Sequence, residues 1–331
     1  MNWEGKNVLL TGSGGFVGSW LSKSLIEMGA NVTALLKEDA HDTLLRYSNM
    51  YPSFKDVIKG SILDLDLIKK IFISHNIDTC FHLAAQAIVG IANQSPLPTF
   101  ETNIIGTWNI LEAARTVESV ERVVVASSDK CYGEPTKLPI TEDHPLLASY
   151  PYDASKACAD ILSRAYTKTY GIPIGVTRCC NIYGGGDLNF SRIIPDSVRS
   201  VLLNKNPVIR SDGTPIRDFI FIADAVSAYL ALAENLERKE IKGEAFNFGS
   251  NSPITILDLV NKIIEISGKD LKPEVTGKDK PKAEIDAQYL SSKKAEKLLN
   301  WRPKVRLDEG LKETIQWYSN FFISPHGKEF V

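Results

Sequence analysis

The stretch from Asn7 to Met28 admits few folds. Asn7 to Leu10 is a short apolar run, and Thr11-Gly12-Ser13-Gly14-Gly15-Phe16-Val17-Gly18 follows at once. Leu21, Leu25 and Met28 then recur at helical spacing until Gly29. Strand, glycine loop and helix in that order form the entry unit of a doubly wound α/β sheet. Gly12, Gly15 and Gly18 keep the spacing G-x-x-G-x-x-G. Residues without a Cβ let the backbone turn sharply and approach a pyrophosphate, which then sits on the helix N-terminus. A plain glycine-rich turn needs neither the strand before it nor the helix after it; a dinucleotide-binding loop needs both.

The alternation continues. Asn31 to Leu36, Asp56 to Lys59, Asp78 to Leu83, Val123 to Val125 and Ile172 to Val176 read as further strands of a buried parallel sheet. Helical segments lie between them: Leu65 to Ser74, Thr102 to Val117 and the segment after Tyr152. The second has a stripe of Ile104, Ile105, Trp108, Leu111 and Ala114; the third has Ala159, Leu162, Ala165 and Tyr166. Past residue 178 the pattern loosens. Helices are expected over Ile193 to Leu203 and Asp224 to Glu234, and near Ser292 and Leu307. A short strand and turn are expected over Val208 to Ile216 and a strand over Arg217 to Ile222, and Ala245 to Phe248 followed by Ile254 to Ile266 form a further strand–helix unit. Gly277 to Lys282 reads as a solvated charged loop, and the last ten residues as a weakly ordered tail. The expected fold class is α/β: a Rossmann doubly wound parallel sheet over 1–178, with 213–236 returning to it. A smaller, discontinuous α+β substrate lobe takes most of 179–331.

Bulk properties remove several function classes. A net charge of −2 over 331 residues gives no basic field for nucleic acid or a membrane surface. No apolar run approaches the ~18 residues of a membrane span. Met1 to Lys6 shows no signal-peptide plan, and five cysteines without a Cys-x-x-Cys pair fit reduced thiols, so a cytoplasmic protein is expected. The five histidines show no ligand spacing, and no metal site is expected.

Chemistry concentrates where strands end. Val123-Val124-Val125 leads to Ser127-Ser128-Asp129-Lys130-Cys131-Tyr132-Gly133, and ligands of open α/β sheets gather at the carboxyl ends of strands. About twenty residues on, Tyr152 and Lys156 stand four apart and share a helix face. A tyrosine with its ordinary pKa of about 10 is a poor base at neutral pH. A lysine one turn along and a nicotinamide cation nearby both favour its phenolate. Ser128 could hydrogen-bond the same substrate oxygen. That set suits proton removal from an alcohol while hydride leaves its carbon. After the second strand, Glu38 or Asp39 would take a ribose and favour NAD, whereas Lys37 would meet a 2′-phosphate and favour NADP; both remain open. The fourth strand ends in His82-Leu83-Ala84-Ala85-Gln86, where small residues let a cofactor pass, Gln86 offers an amide to the crevice, and His82 reads as a core histidine.

Thr11 to Gly18, Asn103-Ile104-Ile105-Gly106-Thr107, Ser128 with Tyr152-x-x-x-Lys156, and Arg178-x-x-Asn181-x-Tyr183-Gly184 together resemble the extended short-chain dehydrogenase/reductases acting on nucleotide sugars. Within them, Gly18-Ser19-Trp20-Leu21, Ala84-Ala85-Gln86, Ser128-Asp129-Lys130-Cys131-Tyr132 and Gly184-Gly185-Gly186-Asp187 look most like the CDP-glucose 4,6-dehydratases. The resemblance implies cofactor contacts from Gly12, Gly15, Phe16, Val17, Gly18, Lys37, Ser61, Ile62, Leu83, Ala84, Ala85, Asn103, Tyr152 and Lys156. It implies substrate contacts from Gln86, Ser128, Asn181, Arg192 and Arg217, the two arginines matching a diphosphate. The implied reaction oxidises C4, with Tyr152 taking the hydroxyl proton, eliminates water across C5 and C6, and returns hydride to C6. Asp129 is the implied acid for the leaving hydroxyl and Lys130 the base for the C5 proton, so one must hold a proton and the other be neutral. A 4-epimerase needs no such pair, and a salt bridge on a loop would need no reaction at all. Epimerisation, and a non-catalytic NAD(P)- or nucleotide-sugar-binding protein, are the alternatives. A homodimer through the helices at 102–117 and 152–169 is expected.

Overall fold

Strands that are apolar on both faces must be covered on both faces. The computed structural model describes residues 2–37, 43–277 and 285–331. Its strands begin with β1 (Asn7–Thr11), β2 (Asn31–Leu36), β3 (Asp56–Lys59), β4 (Thr79–His82), β5 (Arg122–Ala126), β6 (Ile174–Cys179) and β7 (Asn181–Tyr183). They continue with β8 (Val208–Ile209), β9 (Ile216–Arg217), β10 (Phe219–Phe221), β11 (Ala245–Phe248), β12 (Ile254–Thr255), β13 (Glu274–Val275) and β14 (Ala287–Gln288). The helices are α1 (Phe16–Glu27), α2 (Thr43–Tyr47), α3 (Leu65–Ser74), α4 (Val89–Gln94), α5 (Pro96–Phe100) and α6 (Gly106–Thr116). Then come α7 (Pro151–Tyr170), α8 (Ile193–Leu202), α9 (Ile222–Asn235), α10 (Ile256–Ser267), α11 (Lys293–Leu299) and α12 (Leu307–Ile323).

Seven parallel strands form the main sheet in the order β11-β6-β5-β4-β1-β2-β3. The order reverses between β1 and β4, which opens the crevice where ligands of such sheets bind. Alternate residues feed two cores. Val8, Leu10 and Val124 pack with Leu21 and Leu25 of α1 and with α9. Leu9, Val123 and Val125 pack with Ile68 and Phe72 of α3 and with Ile110 and Leu111 of α6. Shorter sheets, β10-β7, β12-β9-β14 and β13-β8, stand beside the carboxyl end of this layer. Among the described residues no helix is long and apolar enough to cross a membrane.

Four expectations are corrected by packing. The return to the main layer is longer than 213–236: α9 covers the sheet and β11 pairs with β6, so it runs from Ile222 to Phe248, while Ile216–Arg217 pairs with β12 and β14. The sixth strand begins at Ile174 and carries Arg178 inside it. The helix expected from Thr102 opens with a π-turn over Glu101–Ile105. Beyond that turn, within the regular part of α6, Trp108 is 42% exposed while Leu111 and Ala114 are buried. The C-terminal tail is packed: the Phe330 ring lies 6.0 Å from Phe190 and 5.7 Å from Phe321. The charged loop from Gly277 to Lys282 lies outside the described residues beyond Gly277.

Arg178 explains why β6 keeps its course. Its Nε and Nη2 reach the two oxygens of Asp160 on α7 at 2.7 and 2.9 Å, and its Nη1 donates to the Tyr132 hydroxyl at 2.7 Å. Both charges are buried, at 1% and 0% side-chain exposure. Removing one member of such a pair leaves the other charged in a dry interior. Asp160→Ala is expected to lower folding stability by about 3–5 kcal/mol in urea titrations. The double change Asp160→Leu with Arg178→Met is expected to recover most of that loss.

Candidate active site

The first half of the site is a short 3-10 turn, Asp129–Tyr132, that follows β5. Ser128 caps it, accepting from the Lys130 amide at 3.3 Å. The turn is pinned from below: Tyr132 donates to Asn247 Oδ1 at 2.7 Å and takes the Arg178 bond. The second half is the first turn of α7, where Pro151 fixes the opening residue of the helix. These halves face a cavity of about 860 Å³, a size suited to a small organic ligand. Ser128, Asp129, Lys130, Tyr152 and Lys156 all line it.

The Ser128 hydroxyl stands between two of them. It lies 3.1 Å from Asp129 Oδ1 and is hydrogen-bonded to the Tyr152 hydroxyl. Burial pushes Tyr152 up to about 12, and Arg192 and the Ser128 bond oppose that. Lys156, buried one turn on, donates to the Ala126 carbonyl at 2.7 Å. Burial brings its ammonium down to about 8. Asp129 is 2% exposed, and its Oδ2 is buried without a hydrogen-bond partner. The Lys130 Nζ lies 3.8 Å from that oxygen.

The glycine loop fits a dinucleotide. Gly12 has φ +80°, and a Cβ there would come within 2.8 Å of the Ala84 nitrogen. A Cβ on Gly18 would lie 2.1 Å from the Gly12 oxygen. The loop is therefore pressed against the end of β4 with no room for side chains. Gly15 caps α1 without a side-chain hydrogen bond, which leaves the amides at Phe16 and Val17 free of a competing cap. Val17, Leu83 and Ala85 line the cavity. Ser61 and Ile62 follow β3, and the Ile62 carbonyl accepts from Asn109 at 3.1 Å. Lys37 ends β2, exposed; Glu38 and Asp39 lie outside the described residues.

Two expected contacts are structural instead. Gln86 does not line the cavity: its Oε1 accepts from the Ile88 amide at 2.5 Å and its Nε2 donates to the Ile88 carbonyl at 3.1 Å. Both ends of the amide are consumed by its own loop. Asn103 is buried, accepts from the Gln86 amide, and donates to the Gln86 carbonyl and to Ser155. It ties the β4 loop to α7. His82 is a core histidine: it bridges Thr11 and Thr107, and burial depresses it to about 3.

Asn181, Arg192 and Arg217 do line the cavity. Asn181 donates to the Asp218 carbonyl at 3.1 Å, Arg192 pairs with Asp187 at 2.9 Å, and Arg217 donates to the Ile216 carbonyl at 2.9 Å. Sequence reasoning missed Arg210, a third cavity arginine, which was hidden in a two-residue strand and its turn. It also missed Asp153, adjacent to Tyr152 and 5% exposed. Burial raises the Asp153 carboxyl to about 6; Lys130 opposes the rise and Asp129 adds to it. Nothing in the sequence beyond its neighbour Tyr152 marked that aspartate.

A Tyr-x-x-x-Lys helix facing a strand-end serine across a glycine-loop Rossmann sheet defines a short-chain dehydrogenase/reductase of the extended, nucleotide-sugar-modifying kind. Residues 9–314 match the family described as GDP-mannose 4,6 dehydratase, and the chain belongs to that family. The CDP-glucose 4,6-dehydratase of Salmonella typhimurium is 30% identical over 96% of this chain and 91% of its own. The UDP-glucose 4-epimerase of Thermotoga maritima, solved with UDP-glucose, superposes with a TM-score of 0.86 at 29% identity over 95% of this chain and 99% of its own. The dTDP-glucose 4,6-dehydratase of Bacillus anthracis, solved with NAD, gives 0.83 at 28% over 96% and 97%. Dehydratases and epimerases of nucleotide sugars thus resemble the chain about equally.

The Asp153 displacement has a consequence for stability. The folded protein holds this proton more tightly than the unfolded chain, whose carboxyl titrates near 3.8. The group therefore favours folding below about pH 4, and that contribution is lost as pH rises through about 6. Asp153→Asn is expected to match the wild type near pH 4 and to exceed it by about 1–3 kcal/mol near pH 8, read by urea titration at both pH values.

Proposed function

We propose that the chain is a nucleotide-sugar 4,6-dehydratase that uses NAD, with CDP-glucose the favoured substrate. The observation that carries the reading is the Asp129-Lys130 pair, its aspartate buried and its lysine partly exposed, beside Ser128 and Tyr152 at one cavity wall. Oxidation alone needs only Ser128, Tyr152 and Lys156. Bound in the crevice above Gly12 to Gly18, an oxidised nicotinamide would accept hydride from C4 and give it back at C6. Tyr152 takes the proton of the 4-hydroxyl, with Ser128 hydrogen-bonded to the same oxygen. The new ketone acidifies the C5 proton, which Lys130 removes as a neutral amine. Asp129 gives its proton to the departing C6 hydroxyl, so water leaves across C5 and C6. The buried, unpartnered Oδ2 of Asp129 suits a group that must hold a proton until a substrate oxygen arrives. Asn181 would meet the sugar or its phosphate. Arg192 and Arg217 would take the diphosphate, with Arg210 at the same wall. Lys37 keeps NADP as the alternative cofactor.

The second reading is a 4-epimerase, favoured by the full-length superposition on the Thermotoga enzyme. It uses Ser128, Tyr152 and Lys156 alone. Incubation with CDP-, UDP-, GDP- and dTDP-hexoses, followed by mass spectrometry, separates the two. Loss of water is expected from at least one, and Asp129→Asn or Lys130→Met is expected to slow it by about 100-fold or more while C4 oxidation persists. A product of unchanged mass with inverted C4, made equally well by both variants, would establish the epimerase. Binding without turnover would leave the non-catalytic reading.

We also propose a homodimer through the helices at 102–117 and 152–169. Trp108 on α6 and Ile161 on α7 are 42% and 55% exposed, on two helices that pack side by side. Exposed apolar side chains on neighbouring helices suit a two-fold helix bundle. Light scattering is expected to give twice the chain mass for the wild type and the monomer mass for the double variant Trp108→Glu, Ile161→Glu. A monomeric wild type would refute the arrangement.

A further inference from the structure

Lys130 is held by a residue far from it in sequence. Gln288 of β14 is fully buried. Its Oε1 accepts from the Lys130 Nζ, and its Nε2 donates to the Asp129 carbonyl at 3.0 Å. A carbonyl only accepts and the lysine nitrogen donates, so the amide has a single orientation that satisfies both. β14 pairs with β9, and there Gln288 stands in register with Arg217. One side chain therefore connects the Asp129-Lys130 pair to a strand that carries a cavity arginine.

We propose that Gln288 is the positioning residue for Lys130 in water elimination, an inference that rests on the dehydratase reading above. The alternative partner for Lys130 is the Asp129 carboxylate, 3.8 Å away. If the two closed into an ion pair, Asp129 would have no proton to give and Lys130 no lone pair to use. A primary amide prevents this. It accepts one N–H from the amine without competing for the proton, because it does not titrate. The amine's lone pair then points away from that bond, into the cavity. The second bond, to the Asp129 backbone, fixes the distance between the amide and the turn that carries both residues. A carboxylate at position 288 would instead keep Lys130 charged, and an apolar side chain would release it toward Asp129.

The test uses the cofactor-loaded enzyme in single turnover with a nucleotide hexose that the wild type dehydrates. Reaction samples are quenched with borodeuteride, so that the 4-ketohexose intermediate and the 4-keto-6-deoxy product are counted separately by mass. In Gln288→Met and in Gln288→Glu, C4 oxidation and KM are expected to stay within about twofold of wild type, while water loss slows at least 10-fold, as about 1 Å of misplacement would cause. The 4-ketohexose then accumulates. In a Lys130→Met background the Gln288→Met change is expected to add nothing, since the residue acts through the amine. Water loss at the wild-type rate in both variants overturns the inference, and so does a parallel loss of oxidation and elimination, which marks a merely structural contact. A wild type that removes no water from any nucleotide hexose overturns the dehydratase reading and this inference together, and the product mass of the wild type distinguishes that failure from the others.

Discussion

The geometry of the site depends on one buried guanidinium. Arg178 leaves β6 in a region where every neighbour is packed and spreads its nitrogens over Asp160 of α7 and the hydroxyl of Tyr132. Those are the two elements that carry the chemistry: α7 brings Tyr152 and Lys156, and the turn ending at Tyr132 brings Asp129 and Lys130. The turn follows β5 and the helix packs on the face of β5 and β6, so the guanidinium ties a loop to a covering helix. A forked, planar cation suits the purpose since each bond fixes a direction as well as a distance. The network does not stop there. Tyr132 donates a hydrogen bond to Asn247 Oδ1 on β11, and Asn247 donates to the Ile140 carbonyl, so the strand that closes the sheet also steadies the turn. The value of such a buried network lies in specificity of arrangement more than in net stabilisation.

Around this scaffold the charges are arranged with few compensations. Asp129 and Asp153 are both buried near Lys130, and the Asp153 carboxyl is raised by burial first and by Asp129 in addition. Asp153 therefore keeps its proton to a higher pH than an exposed carboxylate does.

Much of this was legible in the chain, because the sheet writes itself locally. Each parallel strand is a short apolar run with a functional residue at its end, and β2, β3, β11 and α3 fall where their sequence patterns place them. Ser128, Tyr152 and Lys156 were equally legible, since each stands next to a strand or helix start. What escaped depends on partners remote in sequence. Arg178 reads only as the first residue of the motif Arg178-x-x-Asn181-x-Tyr183-Gly184, and its pairing with Asp160 leaves no local sign. Gln86 reads as a ligand contact by position, yet the turn to Ile88 uses its amide. Trp108 belongs to the apolar stripe by spacing, yet it stands exposed beside the face that Leu111 and Ala114 bury. Gln288 carries no local signal at all: its role exists only because β14 pairs with β9 and lands under the Asp129 turn.

That last point bears on how one fold hosts two reactions. The oxidation machinery is built entirely from the main layer, from strand ends and α7, and nothing in it needs the short sheets. The Asp129-Lys130 pair is different. Both residues follow β5 of the main layer, but Lys130 is held by a side chain from the β12-β9-β14 sheet, beside a strand that carries Arg217 toward the cavity. In the dehydratase proposed above, a ligand that engages Arg217 would bear on the same strand pair that carries Gln288, because the two residues stand in register. An oxidation that can run backward needs no such coupling, whereas an elimination that commits the sugar does.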